Sequence, residues 1–296
     1  MPDVGAFLSD NAVTILNGLA RGLVLFMIAI GLSLIFGLAD VLNLAHGAVF
    51  LLGGYAAVQL APDGNGFLVA LAVAALVGLV LGGGMAAAVR PIAGRGHLDQ
   101  ALLTLGASYV LAELASLVWG DNYYSPLAPA ALGGATQVLG VSFPTYRLAV
   151  IAVGLLIAVG AYLLFERTQL GALVQATVAD RGMVSALGVN TSLVLAGVFG
   201  VGTALAAVGG VLAAPVLGVR PGIDSQVLLL ALIVVVIGGL GSIRGALIGA
   251  LLIGQVESLG VFLLPELSAF LLFGAMALVL LLRPEGLFGA PREAAG

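Results

Sequence analysis

Asp40, Asn43 and His46 recur every three residues inside an otherwise apolar stretch, so a helix there would present all three on one face. Polar groups at membrane depth are costly and meet either a neighbouring helix or a water-filled cavity. Two readings follow. Asn43 and His46 tie helices together by hydrogen bonds, or they line a polar path; Asp40 fits the membrane interface. Glu113, alone in a later apolar stretch, reads as a neutral buried acid or an interhelical hydrogen-bonding group. Catalytic signatures are absent. With two histidines far apart and no cysteine, thiol chemistry and thiolate metal ligation are excluded, and a metal site would need carboxylates buried in lipid. All ten basic residues are arginine, so there is no phosphate-loop lysine, and neither His-Glu-x-x-His nor Gly-x-Ser-x-Gly occurs. The chain reads as a non-enzyme without cofactor, and any ATP hydrolysis has to reside in another polypeptide.

Apolar helices must hold these groups. Of 296 residues 61% are hydrophobic and 8% charged, with mean hydropathy +1.23, where a soluble domain carries roughly 25% charged residues. This is the composition of a polytopic membrane protein. The net charge of −4 is spread out, and no basic block suits nucleic acid. Windows long enough to cross the hydrocarbon core run from Val13 to Gly37, Val41 to Leu60, Phe67 to Val89, Ala101 to Trp119, Leu148 to Phe165, Leu193 to Ala214, Val227 to Leu240, Gly245 to Leu264 and Leu267 to Leu282. About nine helices are expected, or eight to ten, because Val227 to Leu240 is short and the glycine-rich Gly238 to Gly245 reads as a break inside the membrane. Glycine-broken segments in both halves, Gly37 to Gly54 and Gly238 to Gly254, hint at duplication. Gly18/Gly22, Gly78/Gly82 and Gly245/Gly249 are spaced for close helix contact.

Arginines set the orientation. Arg90 and Arg95, Arg167 and Arg181, and Arg283 and Arg292 fall on one face, expected to be cytoplasmic, which puts the loop from Gly120 to Tyr146 and the N-terminus outside. Arg21, early in the first window, disagrees with that assignment. The start lacks a positive region before its first apolar run, so insertion through the first span is expected. Between two spans lies a polar interval of about residues 166–190. Thr168 suits a helix start, Gly171 to Leu187 lacks proline, and Gly188 suits a left-handed terminator, so one short helix is expected there. Arg147 and Arg220 fall on the outer face, where they either meet lipid phosphate or receive acidic groups of an external protein.

Ala176, Asp180 and Leu187-Gly-Val-Asn190 resemble the cytoplasmic coupling segment of permeases in ATP-binding-cassette importers, above all those of the branched-chain amino acid (Liv-type) family. Val41-Leu-Asn-Leu-Ala-His-Gly47, Gly238-Gly-Leu-Gly-Ser-Ile-Arg-Gly-Ala246 and Arg283-Pro-Glu-Gly-Leu-Phe-Gly289 agree, in the family's order. The resemblance implies an all-α, polytopic, type II importer-like permease with broken central helices, forming a single transmembrane domain over residues 1–296. It implies a bacterial or archaeal plasma (inner) membrane location and half of a path for branched-chain or related small amino acids or amides. The implied partners are a second homologous permease or a second copy, two cytoplasmic ATPase subunits holding ATP and Mg, an extracytoplasmic substrate-binding protein and membrane lipid.

Within that segment Glu166, Arg167, Gly171, Asp180 and Gly188 are expected to couple to the ATPase, with Leu173, Ala176 and Met183 at helical spacing as the apolar contact. Asn43, His46, Gly47, Gly239, Gly241 and Ser242 line the path or pack helices, and Arg147 and Arg220 dock the binding protein. Family members tend to carry arginines where this chain has Ala172 and Gln175, so the ATPase contact is expected to be largely apolar apart from Asp180. The rival reading is an ion-coupled secondary transporter or channel for small polar solutes, which would carry an acidic proton-relay pair in mid-membrane; none is legible. An apolar path without a fixed ion pair suits a small zwitterion or amide.

Overall fold

The computed structural model describes residues 11–39, 41–92, 94–138 and 140–289. Among them six helices are long and apolar enough to cross a membrane: α1 (Ala12–Ala39), α3 (Phe67–Val89), α4 (His97–Trp119), α5 (Thr145–Arg167), α8 (Thr191–Leu217) and α10 (Ile243–Leu263). Three shorter apolar helices, α2 (His46–Leu60), α9 (Ile223–Gly238) and α11 (Ser268–Leu282), fill the remaining windows. Two short helices, α6 (Gln169–Ala179) and α7 (Arg181–Ala186), lie between α5 and α8. The loop after α4 also contains an antiparallel hairpin, β1 (Ala135–Val138) with β2 (Val141–Pro144), an element that apolar windows do not announce.

Backbone contacts sort the connections into two ends. Leu127 N–H donates to Pro62 O at 3.0 Å, and Tyr124 and Val219 exchange bonds of 2.8 Å, which gathers the loops after α2, α4 and α8 at one end, the loop end. At the other, the helix-pair end, Arg244 at the start of α10 meets Glu166 at the end of α5 across 2.5 Å. The tail after α11 also lies there, because Leu287 and Phe288 N–H donate to Ile237 and Gly238 O at 2.8 and 3.0 Å. Arg167, Arg181 and Arg283 therefore share one end, as their loops predict.

α1 is the central element. Phe26, Met27, Ile28, Ile30 and Ile35 are fully buried along it, enclosed by α8, α9 and α10. Lipid offers no hydrophobic drive for helix association, so backbones must approach closely, and small residues permit it. A methyl group added at Gly22 would meet the Ala250 and Leu251 backbone of α10 at 2.8 and 3.1 Å, and one at Gly78 would meet the Ala204 backbone of α8 at 2.5 Å. Thr203 on α8 adds a buried hydroxyl bond of 2.6 Å to Gly78 O. The outer helices instead expose Leu68, Leu76, Leu102, Leu156 and Leu281, a surface suited to acyl chains.

Two chain breaks interrupt this bundle. Residues 41–45 are not helical, so the expected common face of Asp40, Asn43 and His46 does not form; Asp40 itself lies outside the described residues. Thr104 of α4 replaces the missing helical partners, donating to Leu42 O at 2.9 Å and accepting from Leu44 N–H at 3.1 Å. The second break is Gly239 to Ser242. Gly239 and Gly241 take φ of +98° and +77°, values that only glycine adopts freely, and Ser242 caps α10 by accepting from Gly245 N–H at 3.0 Å.

Candidate functional site

The second break rests on the end of α1: a methyl group at Gly37 would overlap the backbone of Gly241. His46, the first residue of α2, and Asn43 just before it are completely buried. His46 Nε2 lies 3.1 Å from Ile28 O, and because a carbonyl only accepts, Nε2 carries the hydrogen. Asn43 Oδ1 accepts from Ala45 N–H at 3.2 Å, closing the turn that starts α2. His46 Nδ1 and Asn43 Nδ2 have no partner among the described residues. Gly47 lets α2 meet the Asp224 backbone at the start of α9. His46 thus reaches another helix, whereas the bond that Asn43 makes is local to its own turn.

At the helix-pair end the expected single helix is two. Thr168 caps α6, accepting from Gly171 N–H at 3.3 Å, but the helix stops at Ala179. Asp180 turns extended, with φ −152° and ψ 94°, and its carboxylate accepts from Met183 N–H at 2.8 Å to start α7. Short polar side chains compete with helix continuation in this way, so the aspartate expected to reach outward is also a cap. Gly188 ends α7 at φ +86°, and Asn190 caps α8 by accepting from Leu193 N–H at 3.2 Å. Gly171 is needed for a different reason than helix termination: a side chain there would overlap Phe165 O, so it brings α6 against the end of α5.

With the break at Asp180, Leu173 and Ala176 lie on α6 while Met183 lies on α7, so they do not form one continuous stripe. Leu173 is half-buried, whereas Leu170, Met183 and Leu187 are 63%, 62% and 75% exposed. The exposed apolar surface thus includes two leucines that the spacing argument passed over.

Glu166 is bonded to Arg244, whose guanidinium stands 5.2 Å from the ring centre of Tyr162; Arg167 lies 5.9 Å from the same ring on α5. A cavity of about 320 Å³ opens beside this cluster, lined by Leu34, Glu166, Gln175, Gly241, Ser242 and Phe288. It brings together α1, α6, the Gly239 to Ser242 break and the tail. Nothing in the sequence pairs Glu166 with Arg244, 78 residues apart.

At the loop end Arg220 is exposed, with its nearest side-chain partner Gln226 Oε1 at 3.3 Å. Arg147 is half-buried, and its guanidinium donates to Asn17 Oδ1 of α1. Arg21, which disagreed with the arginine rule, forms an ion pair with Glu257 of α10. That contact joins residues 236 positions apart. Glu113 is exposed on α4, where the sequence suggested a neutral buried acid or an interhelical hydrogen-bonding group.

The family described as the permease component of branched-chain amino acid transport systems matches residues 14–280. The chain is 30% identical over 307 residues to the high-affinity branched-chain amino acid transport system permease protein BraD of Pseudomonas aeruginosa, covering 98% of each chain. It is 32% identical over 294 residues to permease protein LivH of Escherichia coli, covering 93% of this chain and 94% of that one. A probable branched-chain amino acid transport permease of Methanocaldococcus jannaschii is 27% identical over 292 residues, covering 90% and 88%. No solved structure matches.

Proposed function

The chain belongs to the family of permease components of branched-chain amino acid transport systems, and on that premise we propose that it forms, as one domain over residues 1–296, half of an import path for branched-chain amino acids in the plasma membrane. A second homologous permease supplies the other half. Two ATPase subunits bind at the helix-pair end, which faces the cytoplasm, and an external binding protein delivers substrate to the loop end. The observation that carries this reading is the near-full-length match, which includes both breaks and the α6–α7 pair.

The ATPase grips α6 and α7 through Leu170, Met183 and Leu187, with Ala176 beside them, while Asp180 and Gly188 hold the two short helices in shape. Movement of α6 reaches α5 through the close contact at Gly171 and reaches α10 through Glu166 and Arg244. α10 begins directly after the Gly239 to Ser242 break, where two glycines at positive φ interrupt the helix, so the break is where its tilt changes. Gly37 rests on Gly241, and the same movement is passed to the end of α1. Asn43 and His46 fix the start of α2 against α1 and give the hinge a firm side. Arg220, exposed at the loop end, receives a carboxylate of the binding protein, whereas Arg147, half-buried and bonded to Asn17, is left to the cavity it lines.

The test is reconstitution of this chain with its second permease, its ATPases and its binding protein in liposomes. ATP-dependent accumulation of leucine, isoleucine or valine is expected; accumulation that follows an ion gradient and needs no ATP refutes the reading.

A further inference from the structure

We propose that the cavity between α1, α5, α8 and α10 at the loop end is a binding site for an amino acid zwitterion with a branched apolar side chain, a proposal that rests on the importer reading above. The cavity has a volume of about 530 Å³, within the roughly 300–1,000 Å³ usual for small-molecule sites. Its polar wall is Thr14, Asn17, Arg21, Arg147, Glu257 and Ser258. The remaining wall is apolar and, apart from Ala20, branched or aromatic: Val24, Val150, Val216, Leu217, Val261 and Phe262. A cavity for a plain anion would need no carboxylate, and one for an apolar molecule would need no charge.

The charges inside are only partly matched. Arg21 pairs with one oxygen of Glu257, while the other, Oε2, is buried without a partner among the described residues. Arg147 has the amide oxygen of Asn17 as its hydrogen-bond partner and no carboxylate within ion-pair distance among the described residues. Among the described residues the cavity wall therefore carries one cation without a carboxylate partner and one carboxylate whose second oxygen, closed off from solvent, lacks a donor. An α-carboxylate satisfies the first and an α-ammonium the second, and charge-assisted bonds of this kind are the strong ones.

Depth makes the arrangement informative. Arg21 lies nine residues beyond Ala12, so at 1.5 Å per residue it stands roughly 14 Å along α1. Ionised groups that far into an apolar helix belong in a water-filled cavity with a function. Ser258 Oγ and Gln255 Nε2 are already bonded to Thr14 O and Ile15 O, at 2.8 and 2.9 Å, so α1 and α10 are fastened together without the ion pair. The pair is free to exchange its partners for a ligand.

The experiment measures equilibrium binding of radiolabelled leucine to the assembled transporter in lipid nanodiscs, without the binding protein. Saturable binding is expected that neither 4-methylpentanoate, which lacks the ammonium, nor 3-methylbutylamine, which lacks the carboxylate, displaces. Arg147→Gln and Glu257→Gln should each weaken it by roughly ten- to hundredfold, the value of one hydrogen bond to a charged group. Val261→Trp, at an exposed rim position, should block the cavity while leaving every charge in place; if a charge variant fails to assemble, this variant decides alone. Binding absent in the wild type, unchanged in the variants, or displaced equally by a singly charged analogue overturns the proposal, the last reassigning the cavity to a lone ion such as a lipid phosphate. ATP-driven leucine uptake, measured on the same wild-type complex with its binding protein, separates the two ideas. Uptake present with these binding results negative removes the cavity site alone, and uptake absent removes the importer reading as well.

Discussion

His46 donates to Ile28 O in the middle of α1, so its imidazole spends its one hydrogen on another helix. His46→Ala removes that bond and opens a void at a completely buried position. A buried interhelical bond averages about 0.6 kcal/mol in a membrane bundle, and the void adds to it. Thermal unfolding of the purified complex should therefore shift downward together with transport; transport lost at unchanged stability would return His46 to the lining of the path. Asp180 offers a sharper separation, because a cap and an ATPase contact respond differently. Asp180→Asn keeps an acceptor for Met183 N–H and should retain ATPase association, whereas Asp180→Ala loses the cap, at a cost of about 0.5–2 kcal/mol to α7. Equal loss in both variants, measured by co-purification of the ATPase, would show that the charge matters more than the cap. The helix ends at Thr168 and Gly188 were legible in the sequence because caps act on near neighbours. The partners of Arg21 and Glu166 were not, because each pairs with a residue far along the chain that only packing brings near.

Helix windows were read well wherever twenty apolar residues run together, and α1, α3, α5 and α8 lie close to them. The failures share one cause. Val41 to Ala45 is as apolar as a helix and lies beside one, yet Thr104 of α4 supplies the bonds that allow an extended course, and a composition window contains no information about α4. In the same way, a proline-free run from Gly171 to Leu187 says nothing about an aspartate side chain that captures its own backbone at Met183. The second break was legible because glycine marks it directly. Replacing Gly241 by valine forces a left-handed conformation on a β-branched residue, at about 1–2 kcal/mol, and crowds Gly37. Gly241→Val should leave the protein in the membrane but uncouple ATP hydrolysis from uptake, a result read from the ratio of the two rates; an unchanged ratio would mean that the breaks do not move. The ion pair between α5 and α10 is exposed, where such pairs contribute about 0–1 kcal/mol. Its proposed role is transmission, so Arg244→Glu should lower coupling with little change in unfolding temperature, and Glu166→Arg together with Arg244→Glu should restore it.

At the scale of the whole molecule, an apolar bundle carries two short helices and a glycine break set against the end of α1 at one end, and a loop cluster at the other. Composition alone indicated a polytopic membrane protein, and the shared motifs indicated the family, because both are properties of the chain taken in order. The cavity at the loop end emerged only from folding, since its walls come from α1, α5, α8 and α10. The central claim is that this bundle converts work done on α6 and α7 into inward movement of branched-chain amino acids. Its most direct measurement is uptake of radiolabelled leucine into liposomes holding the complete complex, with ATP enclosed at the ATPase face and the binding protein outside, comparing wild type with Asp180→Arg. The account predicts ATP-dependent accumulation by the wild type and its loss in Asp180→Arg, with the permease still inserted and folded. Wild-type accumulation without ATP, or full ATP-driven accumulation by Asp180→Arg with stoichiometric ATPase, would contradict it.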